Sequence, residues 1–529
     1  MNHRRTLAAA AAAGLAILAP LGLWAQSAAT QPSTPAYLKA FPNFAPNVSP
    51  VLPGDVDTAL KTRLENNKEF DRVQREFDLY SWQMFFALAW PTNDEGRPAP
   101  KLTDTKWGAP RWTSWNTSPQ IFRINGGTPA ACARPGLINA AAVADTATPL
   151  FKGLGAFPAQ AHAADPRTTR LLGVISAVGD VNVNTPMSDI QQAFSGPLID
   201  QNGEFVYYEI LIDKNEVTYL CDNSLYNING QLAFTAAGKA VDMPTGIDTT
   251  NDSGSFELKV AWKVLSAAED KSGRFFTVDG FIKDEDANNN EITRPVRLGL
   301  VGMHIAHKSA TSPQWIWSTF EHVDNLSVDP IANPGLKPSF FNPGCELCAV
   351  NVLPVAGPDG VYPRTPTQAW RSVPIPDAKV ALNDQVRAAM AKQGSVWQYY
   401  QLIDTQWPTD PSAKATDSKG PLPNSIANKP GGDPTPVFLT NITMETYFQG
   451  GNSPACGIGG GAGCTVYFTG HPVAPTDNGA TVFASESCMG CHFSAGVYSA
   501  YNPKTGQGVA KSGTGDFSWL LSKKAQWKP

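Results

Sequence analysis

The apolar positions along this chain change period twice, and the changes mark out its parts. Phe70, Val73, Phe77, Tyr80, Met84 and Leu88 recur at steps of three and four, one stripe of an amphipathic helix. Pro91 ends that pattern. From about residue 169 the period is two. Residues 171–178 form a continuous apolar run, and residues 205–212 follow a Gln-Asn-Gly turn. Phe256, Leu258, Val260, Trp262 and Val264 alternate with Glu257, Lys259, Ala261 and Lys263, which predicts a strand with one buried and one polar face. Residues 275–282, 296–307 and 315–323 read as three more strands. Beyond Cys348 the pattern turns helical again. Val380, Val386 and Met390 place a helix over 377–393, residues 397–407 and 438–449 read as two more, and Asp516 caps a last one running through Leu521. The pattern predicts an α+β chain: a large, mainly antiparallel β-rich body over 55–348 and a C-terminal, mostly helical module over 377–529. Residues 349–376, rich in Pro and Gly, join the two as a linker, and 408–436 is a long loop.

The start of the chain changes the compartment. Arg4 and Arg5 precede an Ala/Leu-rich run over 7–23, and Ala25 stands before Gln26. That is the layout of a secretory signal peptide over 1–25. The Pro/Ala/Ser/Thr-rich stretch 26–54 reads as an extended arm. The mature chain is expected to be exported, soluble and periplasmic, without stable membrane insertion. Loss of residues 1–25 removes two arginines and no acids, so the formal charge of −5 becomes −7. With no basic run, that balance argues against a nucleic-acid partner.

Cysteine carries the chemistry. Cys488-Met489-Gly490-Cys491-His492 is the attachment signature of a c-type haem. The two thiols form thioethers with the porphyrin vinyl groups, the spacer matches their separation, and His492 reaches the iron as an axial ligand. A disulfide or half of a zinc site is the competing reading of the same cysteines. Of the eight cysteines in the chain, haem claims Cys488 and Cys491. Cys132, Cys221, Cys345, Cys348, Cys456 and Cys464 form an even remainder, which in an exported chain reads as disulfides. Cys456 and Cys464, across a Gly-rich loop, are the nearest local pair. Cys345 and Cys348 lack a following His and read as a structural bridge, with a redox-active dithiol as the alternative.

The far side of the iron is open to several readings. No Met follows His492, so a sixth ligand has to come from upstream. His471 ranks first and Met444 second as the distal ligand, followed by a vacant position. His304, His307 and His322 belong to the body, and on a strand His304 and His307 point to opposite faces. Glu257 and Lys259 share a strand face and form an acid–base cluster if His304 or Glu321 lies beside them.

At residues 488–492 the sequence resembles the c-type cytochromes. Over most of its length it resembles a family of exported bacterial proteins described as cytochrome c family proteins. The stretches that carry this are Ser81-Trp82-Gln83-Met84-Phe85-Phe86-Ala87-Leu88-Ala89-Trp90-Pro91, Gly302-Met303-His304-Ile305-Ala306-His307-Lys308, residues 315–325, Met444-Glu445-Thr446-Tyr447 and Asp516-Phe517-Ser518-Trp519-Leu520-Leu521. The resemblance implies a cytochrome c-like haem module with one covalent haem c in a periplasmic protein. Electron transfer with a periplasmic redox partner protein is the leading expectation. A haem-dependent oxidoreductase (peroxidase- or oxygenase-like) with an open iron stands beside it, as does a haem-based binding or sensing protein.

Overall fold

The computed structural model describes residues 48–133, 165, 167–173, 189, 190, 192, 196–250, 252–285, 291–345, 348–358, 361–371, 374–408, 411, 441–448, 488–492 and 495–528. These residues belong to one compact unit, 43–529. The helices that matter below are α1 (Thr58–Asn66), α2 (Phe70–Ala89), α3 (Lys214–Asp222), α4 (Ile228–Ala236), α5 (Asp377–Lys392), α6 (Cys488–His492) and α7 (Leu520–Lys524). The strands that matter below are β1 (Asn116–Thr117), β2 (Thr169–Gly173), β3 (Tyr207–Ile212), β4 (Phe256–Val264), β5 (Thr277–Glu285), β6 (Glu291–Ser309), β7 (Ser312–His322), β8 (Tyr400–Gln406), β9 (Gly496–Asn502) and β10 (Gln507–Ser512).

Eight strands form one sheet in the order β8-β7-β6-β4-β3-β1, with β5 paired to β6 and β2 paired to β5. Every pairing is antiparallel except β2 with β5. The axis is β6, whose 19 residues pair first with β5 and then with β4 and β7. Alternation sends its side chains to two different environments. Met303 and Ile305 join a core with Leu258, Val260, Ile316, Phe320 and the side chains of α2. Ala306 faces the other way, into a second core with Trp317, Val217, Phe234, Met489, Phe517 and Leu521.

Helix α2 lies against the first face. Beyond the predicted stripe, Trp82, Phe85 and Phe86 are also buried, so the helix is covered nearly all round. Trp82 packs against Phe85, Phe86 and Phe320. Trp90 is extended (ψ 128°), as the residue before a proline must be, and the helix stops there. Buried charge ties α2 to two later elements. Lys379 of α5 lies 2.8 Å from Asp78 of α2 and 2.9 Å from Asp404 of β8.

The C-terminal part is not a mostly helical cytochrome-like module. Residues 400–406 are an edge strand of the main sheet, paired with β7, and residues 496–512 form a separate two-stranded sheet. The helical reading of 397–407 fails because a bulge between Leu402 and Asp404 interrupts the alternation and sets Leu402 and Ile403 side by side in sequence. The described end of 438–449 is a turn followed by a single 3₁₀ turn at Thr446–Phe448. Asp516 is not a helix cap; the last helix begins at Leu520. Helices α3 and α4 fill a stretch between two predicted strands to which the pattern assigned no element. Each begins on a side-chain cap, Asp213 accepting from the Asn215 and Glu216 amides and Asn227 from that of Gly230.

Disulfides join Cys132 to Cys221 and Cys345 to Cys348. Cys456 and Cys464 lie outside the described residues, as do the signal peptide and the arm to residue 47. Among the described residues no helix is long and apolar enough to cross a membrane.

Lys379 neutralises two carboxylates at a site closed to water, so its removal leaves them repelling each other in a poor dielectric. Lys379→Met is expected to lower the unfolding free energy by about 3–5 kcal/mol. Adding Asp78→Asn should restore part of it. Urea midpoints measure both, and a single variant within about 1 kcal/mol of wild type contradicts the clamp.

Candidate functional site

Four of the stretches that carry the resemblance, 302–308, 315–325, 444–447 and 516–521, meet at the second face of the sheet, while 81–91 lies in α2 against the first. Register places Glu257, Ala306 and Trp317 side by side across β4, β6 and β7. The next cross-strand row is Lys259, His304 and Thr319, and the one after it is Ala261, Gly302 and Glu321. Residues 441–448 cover the far end of this surface. Asn441 Nδ2 donates to Thr319 Oγ1 (2.9 Å), the Ile442 amide donates to Glu321 (2.6 Å), and the Tyr208 hydroxyl donates to the Thr443 carbonyl (2.6 Å). Gly302 makes this close approach possible, since a Cβ there would stand 2.0 Å from Thr443 Oγ1.

Helix α6 covers the near end. The Met489 amide donates to Gln406 Oε1 on the edge strand (2.9 Å), and Met489 is buried in the second core, with Cys488 half-buried against it. Positions 488 and 491 are three apart on one helical turn, which brings them to one helix face. His492 packs on Trp317, ring centroids 4.3 Å apart, and Trp317 stacks in turn on Trp315 at 6.3 Å. His492 Nδ1 donates to the Phe517 carbonyl (2.7 Å). Burial, above all, lowers its pKa to about 4, and the nearby His304 and Lys259 push in the same direction. The imidazole is therefore neutral at pH 7, with Nδ1 committed and Nε2 left as the lone-pair atom.

The backbone that supplies this carbonyl is strained. Asp516 and Phe517 are both left-handed, at φ 49° and 65°, and so is Trp315 at φ 68°. Non-glycine residues adopt that region at a cost of order 1–3 kcal/mol each and hold it only when the surroundings over-determine it. Here the clamp is visible. Asp516 accepts from Lys308 Nζ (2.6 Å) and from the Met243 amide (2.7 Å), and Lys308 also binds Asp242 (2.5 Å).

The candidate acid–base cluster is assembled in part. Lys259 and His304 are direct cross-strand neighbours, and Glu445 lies 3.2 Å from His304 Nε2. Glu321 belongs elsewhere, bound to Arg371 (2.5 Å) and to the Ile442 amide. Glu257 turns toward Glu216 of α3 and Ser518. Burial, then the Glu257 charge, holds Glu216 well above the carboxylate range, and burial raises Glu257 to about 7. Neighbouring buried carboxyls cannot all ionise, so this pair retains a proton. Asp213 and Asp516, each raised by burial to about 6, surround the pair. The Asp-Lys-Asn-Glu run at 213–216 could have marked this helix start and with it Glu216.

The other candidates are dispersed. Met444 is fully buried in a separate apolar cluster with Tyr208, Ala261, Phe275 and Phe340. His307 and His322 lie on the α2 side of the sheet. His471 is outside the described residues. Among the described residues no group of three or more His, Cys, Asp or Glu side chains could hold a bare metal ion.

Glu257 binds its proton more tightly in the folded chain than in the unfolded one, whose value is 4.5. Its contribution to stability is therefore present below about pH 4.5 and lost as the pH rises through about 7. Between about pH 5 and pH 8, wild type should lose more unfolding free energy than Glu257→Gln. Equal losses in urea titrations would place the proton elsewhere.

Compared with family models, curated proteins and solved structures, the chain matches none.

Proposed function

We propose that this chain is a periplasmic mono-haem c-type cytochrome that exchanges electrons with a partner protein. Haem c would be attached at Cys488 and Cys491, with His492 as the axial ligand. The observation that carries this is the state of His492: neutral, packed on Trp317, and fixed by a hydrogen bond from Nδ1 that leaves Nε2 for iron. Ligating histidines are held in this way, with the second ring nitrogen donating to a backbone carbonyl. A half-zinc or disulfide reading of Cys-x-x-Cys gives that imidazole no role.

When bound, the haem supplies a one-electron ferrous–ferric couple. The chain does the rest. Cys488 and Cys491 would bind the porphyrin covalently, the Phe517 carbonyl fixes the ring plane of His492, and Lys308 with Asp516 holds that carbonyl in place. Apolar neighbours such as Met489, Val497 and Leu521 keep water from the ligand. The β-rich body provides the wall on which the site is built and the surface for a redox partner.

Full-length protein produced in a bacterial periplasm with haem-attachment machinery should start at Gln26 after cleavage. It should retain haem through acid extraction and give the pyridine haemochrome spectrum of two thioethers. Cys488→Ala with Cys491→Ala should yield a colourless chain. Colour that survives in that double variant, or a wild type without covalent haem, overturns the proposal.

A further inference from the structure

We infer that His304 is the sixth ligand of the haem iron, held in place by Glu445; the inference rests on the haem reading above. The argument begins at His492. Its Nδ1 is turned to Phe517, in the segment bound through Asp516 to Lys308 at one end of the sheet face. His304 and Lys259 stand in the row on the other side of Trp317. A group bound at His492 Nε2 thus extends along the sheet toward His304.

The remaining described histidines are committed. His307 accepts from the Tyr80 hydroxyl at Nδ1 (2.8 Å) and donates from Nε2 to the Ser253 carbonyl (2.7 Å). His322 accepts from the Asp324 amide at Nδ1 and donates from Nε2 to the Arg274 carbonyl, both at 3.1 Å. His304 differs. Its Nε2 is closed to solvent and makes no hydrogen bond, and the Glu445 carboxylate lies 3.2 Å away at an angle unsuited to one. Bound to iron through Nδ1, the ring would present Nε2–H to this carboxylate, which is the carboxylate–histidine–metal arrangement. Glu445 also offsets the positive charge of a ferric bis-imidazole haem. It is placed by the same segment that Gly302 admits to the sheet, with Glu445 Oε2 accepting from the Asn441 amide (2.9 Å).

The test uses the full-length, matured protein. Wild type should be low-spin by electron paramagnetic resonance, and its ferrous spectrum should not change on adding carbon monoxide. His304→Ala should become high-spin and bind carbon monoxide readily while keeping its pyridine haemochrome. His304→Met should stay six-coordinate with a raised midpoint potential, since methionine favours the ferrous state relative to histidine. Glu445→Gln should remain low-spin with a shifted potential. A low-spin His304→Ala that excludes carbon monoxide, with covalent haem intact, overturns the ligand assignment and leaves the haem reading standing. So does a wild type that binds carbon monoxide, which would make His304 and Glu445 neighbours of an open iron. A wild type without covalent haem overturns both.

Discussion

A strand sends successive side chains to opposite faces, and the central strands of this protein have to satisfy two chemistries at once. On one side of β6, Met303 and Ile305 meet the aromatic surface of α2; on the other, His304, Ala306 and Lys308 meet segments that arrive from the last fifth of the chain. The register of β4, β6 and β7 therefore does two jobs. It closes the core, and it sets the order in which Trp317, His304 and Glu321 are offered to the covering segments. A slip of one residue would exchange the faces and remove both.

The second face is held by apolar contact and positioned by compensated charge. Lys308 with Asp242 and Asp516, Arg371 with Glu321, and Lys263 with Asp200 and Glu269 each bury a cation against carboxylates. Such groups add little net stability, because desolvation offsets most of their attraction, but a partner left unpaired is expensive. Their effect is to specify position. The Lys308–Asp516 contact keeps two consecutive residues in left-handed backbone, and that backbone presents the carbonyl on which His492 rests. Glu216 and Glu257 follow a different rule, retaining a proton where a counter-ion would otherwise be needed.

How much of this could be read in advance depends on the range of the forces involved. The strand 256–264 was legible because apolar and polar residues alternate along it, and 296–307 and 315–323 because they are short runs rich in β-branched and aromatic residues. Residues 397–407 were misread because one bulge breaks the phase, and the helices at Lys214–Asp222 and Ile228–Ala236 were missed because each is short and announced mainly by its cap. Lys259 and His304 could be placed on strand faces, yet nothing local said that those strands were neighbours.

The sequence by itself determined what depends on covalent spacing. The interval between Cys488 and Cys491, the adjacent His492 and the period of each strand are properties of neighbouring residues, and no fold is needed to state them. Tertiary structure alone decided what stands around that motif: the carbonyl of Phe517 behind His492, the indole of Trp317 beneath it, and Glu445 beside His304. These contacts join residues far apart in the chain. They exist because strand register and buried ion pairs bring distant segments to one face, and neither is encoded at any single position.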